Sequence, residues 1–293
     1  MVLPVSTDPH LSSALILDCA GKPIDLGRPQ VMGILNLTPD SFSDGGRFLT
    51  RDAALRRAWQ MVEEGAAFID IGGESTRPGA PPVSEEEELA RVLPIIASLA
   101  QELPVPISID TCKAKVMREA VAAGAGLIND VMALRAPGSL QAAVASGVPV
   151  CLMHMQGEPR TMQVAPAYDD VVVDVADFLK QRVADCEAGG MPRERLLLDP
   201  GFGFGKTLAH NLTLLRRLDE FTSLGLPILV GLSRKSMIGS LLGEAPVNDR
   251  INGSLAAAVL AAVKGAAIIR THDVRVTVEA MKVVSGVLSN AQE

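Results

Sequence analysis

The chain of 293 residues is 48% apolar and carries 27 Lys and Arg against 34 Asp and Glu, a formal charge of −7. That composition is globular and excludes a disordered or fibrous chain, and its sign argues against a nucleic-acid binder or a basic membrane-surface protein. One Trp, one Tyr and seven Phe are too few for a base-stacking platform.

Short apolar runs alternate with amphipathic stretches from one end to the other. A strand is predicted over 31–35, then a helix over 51–64 with Leu55, Ala58, Trp59 and Val62 on one face. A strand at 67–71 precedes a helix at 84–103, where Ser84 and Glu87 form a capping-box signature and four glutamates sit at the favourable end of the helix dipole. Strands at 107–109, 127–128, 148–153 and 196–198 are followed by helices at 113–123, 138–146, 169–188 and 210–218. The strand at 228–232 leads to two helical pieces, 235–242 and 249–263, and the strand at 267–270 to a last helix, 274–288.

Eight βα units in succession predict an α/β fold, a single (β/α)8 TIM barrel spanning 31–293. The strands read as near-continuous apolar runs, as parallel strands covered on both faces do. A doubly wound sheet is the rival arrangement. Residues 1–30, with the turn signal Gly21-Lys22-Pro23, read as a hairpin extension that covers the bottom of the barrel.

The four cysteines, Cys19, Cys112, Cys151 and Cys186, form no C-x-x-C pair, which favours reduced thiols over a zinc site or a disulfide framework. No Lys or Arg precedes Lys22, and Ala14–Leu17 is too short for a signal segment; the most apolar helix, 255–263, covers about half a membrane span. A cytoplasmic protein without a membrane partner is the expectation.

In a barrel of this kind the chemistry sits at the C-terminal ends of the strands. Asn36 ends the first strand; Glu74, Thr76 and Arg77 follow the second. Asp110 ends the third, Asn129 and Asp130 the fourth, and His154 follows the fifth. Asp199 ends the sixth, Ser233, Arg234 and Lys235 follow the seventh, and Arg270 and His272 close the eighth. Loops are polar anyway, and a cap on the following helix is the lesser alternative for Asp110 and Asp199. Together, Asp110, Asn129 and Asp199 supply acceptors and an amide donor suited to the edge of a flat heterocycle. Arg77, Lys235, Arg270 and His272 supply cations suited to a phosphate or diphosphate, although each alone reads as a surface ion pair.

The run from Pro200 to Thr207 imitates a phosphate loop but has Pro200 where the motif G-x-x-x-x-G-K-[ST] needs glycine. Its glycines read instead as an irregular turn that brings Phe204 and the backbone up to a ligand. His154 and His210 have no partner at i+3 or i+4, so a histidine metal site is disfavoured. A hard cation shared by Asn36 and substrate phosphates fits better.

The segment Gly33–Gly46 (GILNLTPDSFSDGG) resembles the first signature of the dihydropteroate synthases, and Asp70–Gly79 (DIGGESTRPG) the second. Ser108–Thr111, Ile128–Asp130, Met153–Gly157, Asp199–Lys206, Ser233–Lys235 and Arg270–Asp273 are similar to the remaining motifs, in order, from about Val31 to Val287. The resemblance implies a folate-pathway transferase that joins 6-hydroxymethyl-7,8-dihydropterin diphosphate to p-aminobenzoate, with Mg2+, giving dihydropteroate and diphosphate. It implies pterin contacts at Asp110, Asn129, Asp199 and Lys235, with Met153 packed beneath the ring, a plain core methionine being the equal alternative there. Arg270 would stack on the pterin and reach the diphosphate, with His272 and Asn36 at the diphosphate–Mg2+ end. Phe42 would lie on a first mobile loop and Thr76, Arg77 and Pro78 on a second, while Ser233, Phe204 and Pro78 would surround p-aminobenzoate. It also implies a homodimer formed through the last helices and a target for sulfonamides. Pterin-dependent methyltransferases, a Schiff-base aldolase using Lys235 and a non-catalytic pterin-binding paralogue are the rivals.

Overall fold

The computed structural model describes residues 15–37, 47–75, 80–157 and 162–289. An antiparallel hairpin, β1 (Ile16–Cys19) and β2 (Lys22–Asp25), leads into eight parallel strands. These are β3 (Gln30–Asn36), β4 (Phe68–Gly72), β5 (Ile107–Asp110), β6 (Leu127–Asp130), β7 (Val150–Met153), β8 (Leu196–Asp199), β9 (Ile228–Gly231) and β10 (Ala266–Thr271). They pair in sequence order and close through β10 and β3, which settles the barrel against the doubly wound sheet.

The outer ring holds α1 (Arg47–Glu63), α2 (Glu85–Glu102), α3 (Ala114–Ala122), α4 (Ser139–Ser146), α5 (Val171–Ala188) and α6 (Leu208–Arg216). After β9 come α7 (Ser236–Leu241) and α8 (Ile251–Val263), and α9 (Val274–Leu288) ends the ring. The element order follows the sequence pattern, with boundaries moved by a turn. The helix expected at 210–218 starts two residues earlier, because Thr207 and His210 cap each other reciprocally, and a 3-10 segment, Leu218–Leu224, continues it. Ser84 caps α2 as expected, accepting from Glu87 N at 3.1 Å, while the Glu87 carboxylate pairs with Arg91.

The apolar runs hide a strict alternation in where each side chain packs. Ile69, Ile71, Ile107, Ile109, Ile128, Val150, Leu152 and Ile269 join the shell between strands and helices. Their neighbours Phe68, Leu127, Cys151, Leu197, Leu229 and Ile268 pack together in a separate cluster inside the barrel. Leu17, Cys19 and Leu26 belong to that inner cluster, so the hairpin plugs the N-terminal end of the barrel as expected. Each such large side chain, fully buried, stabilises the fold by ~1.5–3 kcal/mol. Lys22 fastens the plug by donating to the carbonyls at the end of α2 and just beyond, Ala100 (3.4 Å), Leu103 (2.7 Å) and Val105 (3.2 Å). With the bottom sealed by apolar groups, the inward positions nearer the strand C-termini are where the polar residues fall.

Candidate active site

Following that alternation upward, the inward positions above the apolar layer are Asp70 on β4, Ser108 and Asp110 on β5, Asn129 on β6, Met153 on β7, Asp199 on β8 and Arg270 on β10. Arg270 is the hub. Its Nε lies 2.5 Å from Asp70 Oδ2 and its Nη2 2.7 Å from Asp110 Oδ2, and Asn129 Nδ2 donates to the same Asp70 oxygen at 3.3 Å. Burial works against the guanidinium charge, but Asp70 and Asp110 outweigh it and raise its pKa. Burial pushes the Asp110 carboxyl up to about 7, against the pull of Arg270.

Asp199 faces the other side of the mouth. Its Oδ1 accepts from Gly201 N at 2.7 Å, and burial raises its pKa against the attraction of Lys235. Lys235 donates to the Phe202 carbonyl, and its Nζ stands 4.6 Å from the centre of the Phe204 ring. Burial lowers its pKa to about 8, with Asp199 opposing. Neither Asp110 nor Asp199 caps the helix that follows: α3 begins after Lys113 and α6 after Thr207. With Asp110 Oδ2 on Arg270 and Asp199 Oδ1 on the Gly201 amide, each carboxylate keeps its other oxygen for a ligand.

The cationic rim is built from the β9 and β10 ends. Arg234 takes a left-handed conformation (φ +58°) and forks onto Asp273 at 3.0 and 2.5 Å, tying the two loops together. That brings Ser233 Oγ to 3.0 Å from His272 Nδ1, with the His272 amide donating to the same oxygen at 3.2 Å. Arg57 on α1 holds the His272 carbonyl at 3.1 Å. Asn36 ends β3 beside Gly72: a β-carbon there would lie 3.7 Å from Asn36 Oδ1 and 3.8 Å from Asp110 Oδ2. Met153 is buried with Val131, Met155 and Met162, and Phe204 packs against that group.

Of the expected site residues, Asn36, Asp110, Asn129, Met153, Asp199, Phe204, Ser233, Lys235, Arg270 and His272 all fall at this one end of the barrel, on or just after the strand C-termini. Phe42, Thr76, Arg77 and Pro78 lie outside the described residues. Asp70 is the member that strand-end reasoning missed, because it sits in mid-strand. A lone carboxylate on the inward register of an apolar strand (Phe68-Ile69-Asp70-Ile71-Gly72) was its signal.

Asp70, Asp110 and Asp199 against Arg270 and Lys235 leave one net negative charge when all are ionised. Such a pocket accepts N–H donors and stabilises positive charge on a bound ring. Residues 32–272 match the family described as pterin binding enzyme. The dihydropteroate synthase of Escherichia coli K12 is 57% identical over 269 residues, 92% of this chain and 95% of its own.

The chain belongs to the dihydropteroate synthases.

Solved relatives agree with that family and with the barrel. The Xanthomonas albilineans dihydropteroate synthase with 4-aminobenzoic acid superposes with a TM-score of 0.90 at 52% identity, covering 94% of this chain and 99% of that one. The same enzyme with 7,8-dihydropteroate gives 0.86 at 50%, with the same coverage. The Yersinia pestis dihydropteroate synthase in a sulfonamide drug complex gives 0.88 at 55%, covering 93% and 98%. Dihydropteroate synthases are transferases, and the site described above is this one's mouth.

Proposed function

We propose that the chain joins 6-hydroxymethyl-7,8-dihydropterin diphosphate to p-aminobenzoate, releasing 7,8-dihydropteroate and diphosphate, by a dissociative path in which diphosphate leaves first. The observation that carries it is the pairing of Arg270 with both Asp70 and Asp110 inside a pocket of net negative charge. The Xanthomonas enzyme, bound to an amine substrate in one structure and to dihydropteroate in another, supports the substrate pair.

In this reading Asn129, Asp199 and Lys235 hold the polar edge of the pterin, and Met153 packs against its face. Arg270 covers the ring and directs its charge to the diphosphate, with His272 beside it as a further contact for the diphosphate. Asp110 stabilises the positive charge that spreads into the ring as the C–O bond breaks. Phe204, Ser233 and Pro78 enclose p-aminobenzoate, and the loops carrying Phe42 and Thr76-Arg77-Pro78 exclude the water that would capture the cation.

Asn36 is the protein's ligand for Mg2+ in this proposal. Among the described residues no group of three His, Cys, Asp or Glu could hold a metal ion. One amide oxygen beside an open glycine fits a hard cation that takes most of its ligands from diphosphate and water. When bound, Mg2+ would neutralise charge on the departing diphosphate.

We also propose a homodimer in the cytoplasm. Leu241, Leu242, Val247, Leu260, Val263, Val283, Val287 and Leu288 are exposed around α7 to α9, which supports association through the last helices; sedimentation velocity tests it. All four cysteines are unbridged, and no described helix is long and apolar enough to cross a membrane. The function itself is tested by diphosphate release from the pterin diphosphate with and without p-aminobenzoate. Release tied to dihydropteroate formation is expected; pterin binding without turnover would replace the enzyme by a binding protein.

A further inference from the structure

The turn at residues 199–207 is fastened through its carbonyls. Six consecutive carbonyls, Gly201 to Lys206, each accept from a side chain. Lys206 Nζ serves Gly201 (2.9 Å) and Phe204 (3.0 Å), and Lys235 Nζ serves Phe202. Gln163 Nε2 serves Gly203 (2.6 Å), Tyr168 Oη serves Gly205 (2.7 Å), and Asn211 Nδ2 serves Lys206 (3.3 Å). Gly201, Gly203 and Gly205 all have positive φ, so the free segment has unusual backbone freedom that must be removed for it to hold one shape.

The fastening converges on one buried nitrogen. Lys206 is 3% exposed and His154 5%, and Lys206 Nζ meets His154 Nδ1 at 2.9 Å besides the Gly201 and Phe204 carbonyls, with the His154 carbonyl a further contact at 3.5 Å. An ammonium would direct its three N–H groups at the three nearer partners, with the His154 carbonyl a longer fourth. A neutral amine would donate twice and accept from a protonated Nδ1; either way the nitrogen is fully bonded. Burial pushes Lys206 well below the ordinary lysine range and His154 down to about 2. The backbone packs as tightly: a β-carbon on Gly201 would lie 1.9 Å from the His154 carbonyl.

We infer that Lys206 is a positioning residue: its buried amino group is the pin about which the turn closes, and through the turn it sets Phe204 and Lys235 against the substrates. The path is short. The Gly201 amide braces Asp199, the Phe202 carbonyl braces Lys235, and Phe204, whose carbonyl Lys206 holds, stands over the Lys235 ammonium. The functional consequence rests on the roles given to Phe204 and Lys235 under Proposed function; the pinning itself does not.

Lys206→Met keeps the chain length and removes the donors. With the seven phenylalanines labelled as fluorophenylalanine, Phe204→Leu assigns the Phe204 19F signal. In Lys206→Met that signal moves and broadens, while those of Phe68 and Phe221, fully buried elsewhere, stay in place. The KM for p-aminobenzoate rises, and kcat/KM for that substrate falls by about 10- to 100-fold, the scale of a reacting group misplaced by about an ångström. An unchanged Phe204 signal overturns the inference, as does a lowered Tm with wild-type KM at a temperature where the variant is folded. If Lys206→Met does not fold, His154→Gln removes the imidazole partner, and the same displacement, smaller, is expected; wild-type spectrum and KM there also overturn it. The 19F readout needs no turnover. A wild-type enzyme that releases no diphosphate would therefore sink the proposed function and leave the pinning to be decided by the spectrum.

Discussion

Arg270 on β10 and Asp70 on β4, 200 residues apart in sequence, meet at 2.5 Å inside the barrel, one inward step below the mouth. The carboxylate is wholly buried and the guanidinium only 19% exposed, so solvent cannot substitute for either partner. Asp70 fixes one edge of the guanidinium, leaving the other for Asp110 and the flat face for a ligand.

Asp70→Asn tests that relationship. Removing one member of a buried ion pair costs ~3–5 kcal/mol, and the amide of Asn recovers part of it as a hydrogen bond. We expect urea unfolding to show a loss of about 3 kcal/mol, with kcat reduced because Arg270 is no longer fixed on two sides. A loss under about 0.5 kcal/mol, the usual range for a surface change, would mean that the pair is solvated in solution.

The same site predicts a narrow pH optimum. Burial, against Arg270, places the Asp110 pKa at about 7, and burial, against Asp199, places that of Lys235 at about 8. Ionised Asp110 with protonated Lys235 exists chiefly between these values, so kcat/KM should peak there and fall on both sides. Asp110→Asn should erase the acid limb and lower kcat by ~10²–10³, the scale of one electrostatic stabiliser. The linkage to stability has a definite sign. Folded Asp110 binds its proton more tightly than the unfolded chain does, so its contribution to stability declines as pH rises from the ordinary carboxylate range through about 7. Lys235 is depressed, and its contribution improves as pH rises from about 8 towards the ordinary lysine range. Equilibrium unfolding of Asp110→Asn across pH 4–8 should show a flatter profile than the wild type.

Chelation tests the place given to Asn36. With EDTA, turnover should stop while 6-hydroxymethylpterin, which carries no phosphate, still binds by calorimetry. Asn36→Ala should raise the Mg2+ concentration needed for half-maximal rate. A rate indifferent to chelator would remove the metal from the reaction.

Most of this site was legible because parallel strands end where chemistry begins. Asp110, Asn129, Asp199 and Arg270 each close an apolar run, the place where a barrel strand meets the mouth. Asp70 was not found that way, since its distinction is inward register rather than strand end, and register is set by pairing with β3 and β5. Lys206 was legible as a failed phosphate-loop lysine and as the last residue of the motif Asp199–Lys206, but not as a pin. Its partner His154 comes just after β7, 52 residues earlier, and no local pattern reports that meeting. Helix starts drifted for a similar reason: the reciprocal Thr207–His210 cap uses an imidazole where the familiar signature has Glu or Gln.

The order of bond breaking is the sharpest consequence of the proposed function. An aryl amine is a weak nucleophile, and the described groups near Phe204 offer it no obvious base: Lys235 is a cation below about pH 8, and Asp199 is engaged by the Gly201 amide. The pterin methylene, by contrast, can release diphosphate to a cation delocalised into the ring, above a pocket whose five ionised groups sum to one negative charge. Arg270 and His272 would hold the leaving group while Asp70 and Asp110 offset the new positive charge. Diphosphate should therefore depart before the amine bonds. Rates with substituted p-aminobenzoates should depend only weakly on amine basicity, and crystals soaked with the pterin diphosphate alone should show pterin and diphosphate separated. A steep dependence on basicity, with the C–O bond intact until the amine arrives, would mean direct displacement. In that case the negative pocket would serve pterin binding, and Asp110→Asn would raise the KM for the pterin substrate rather than lower kcat.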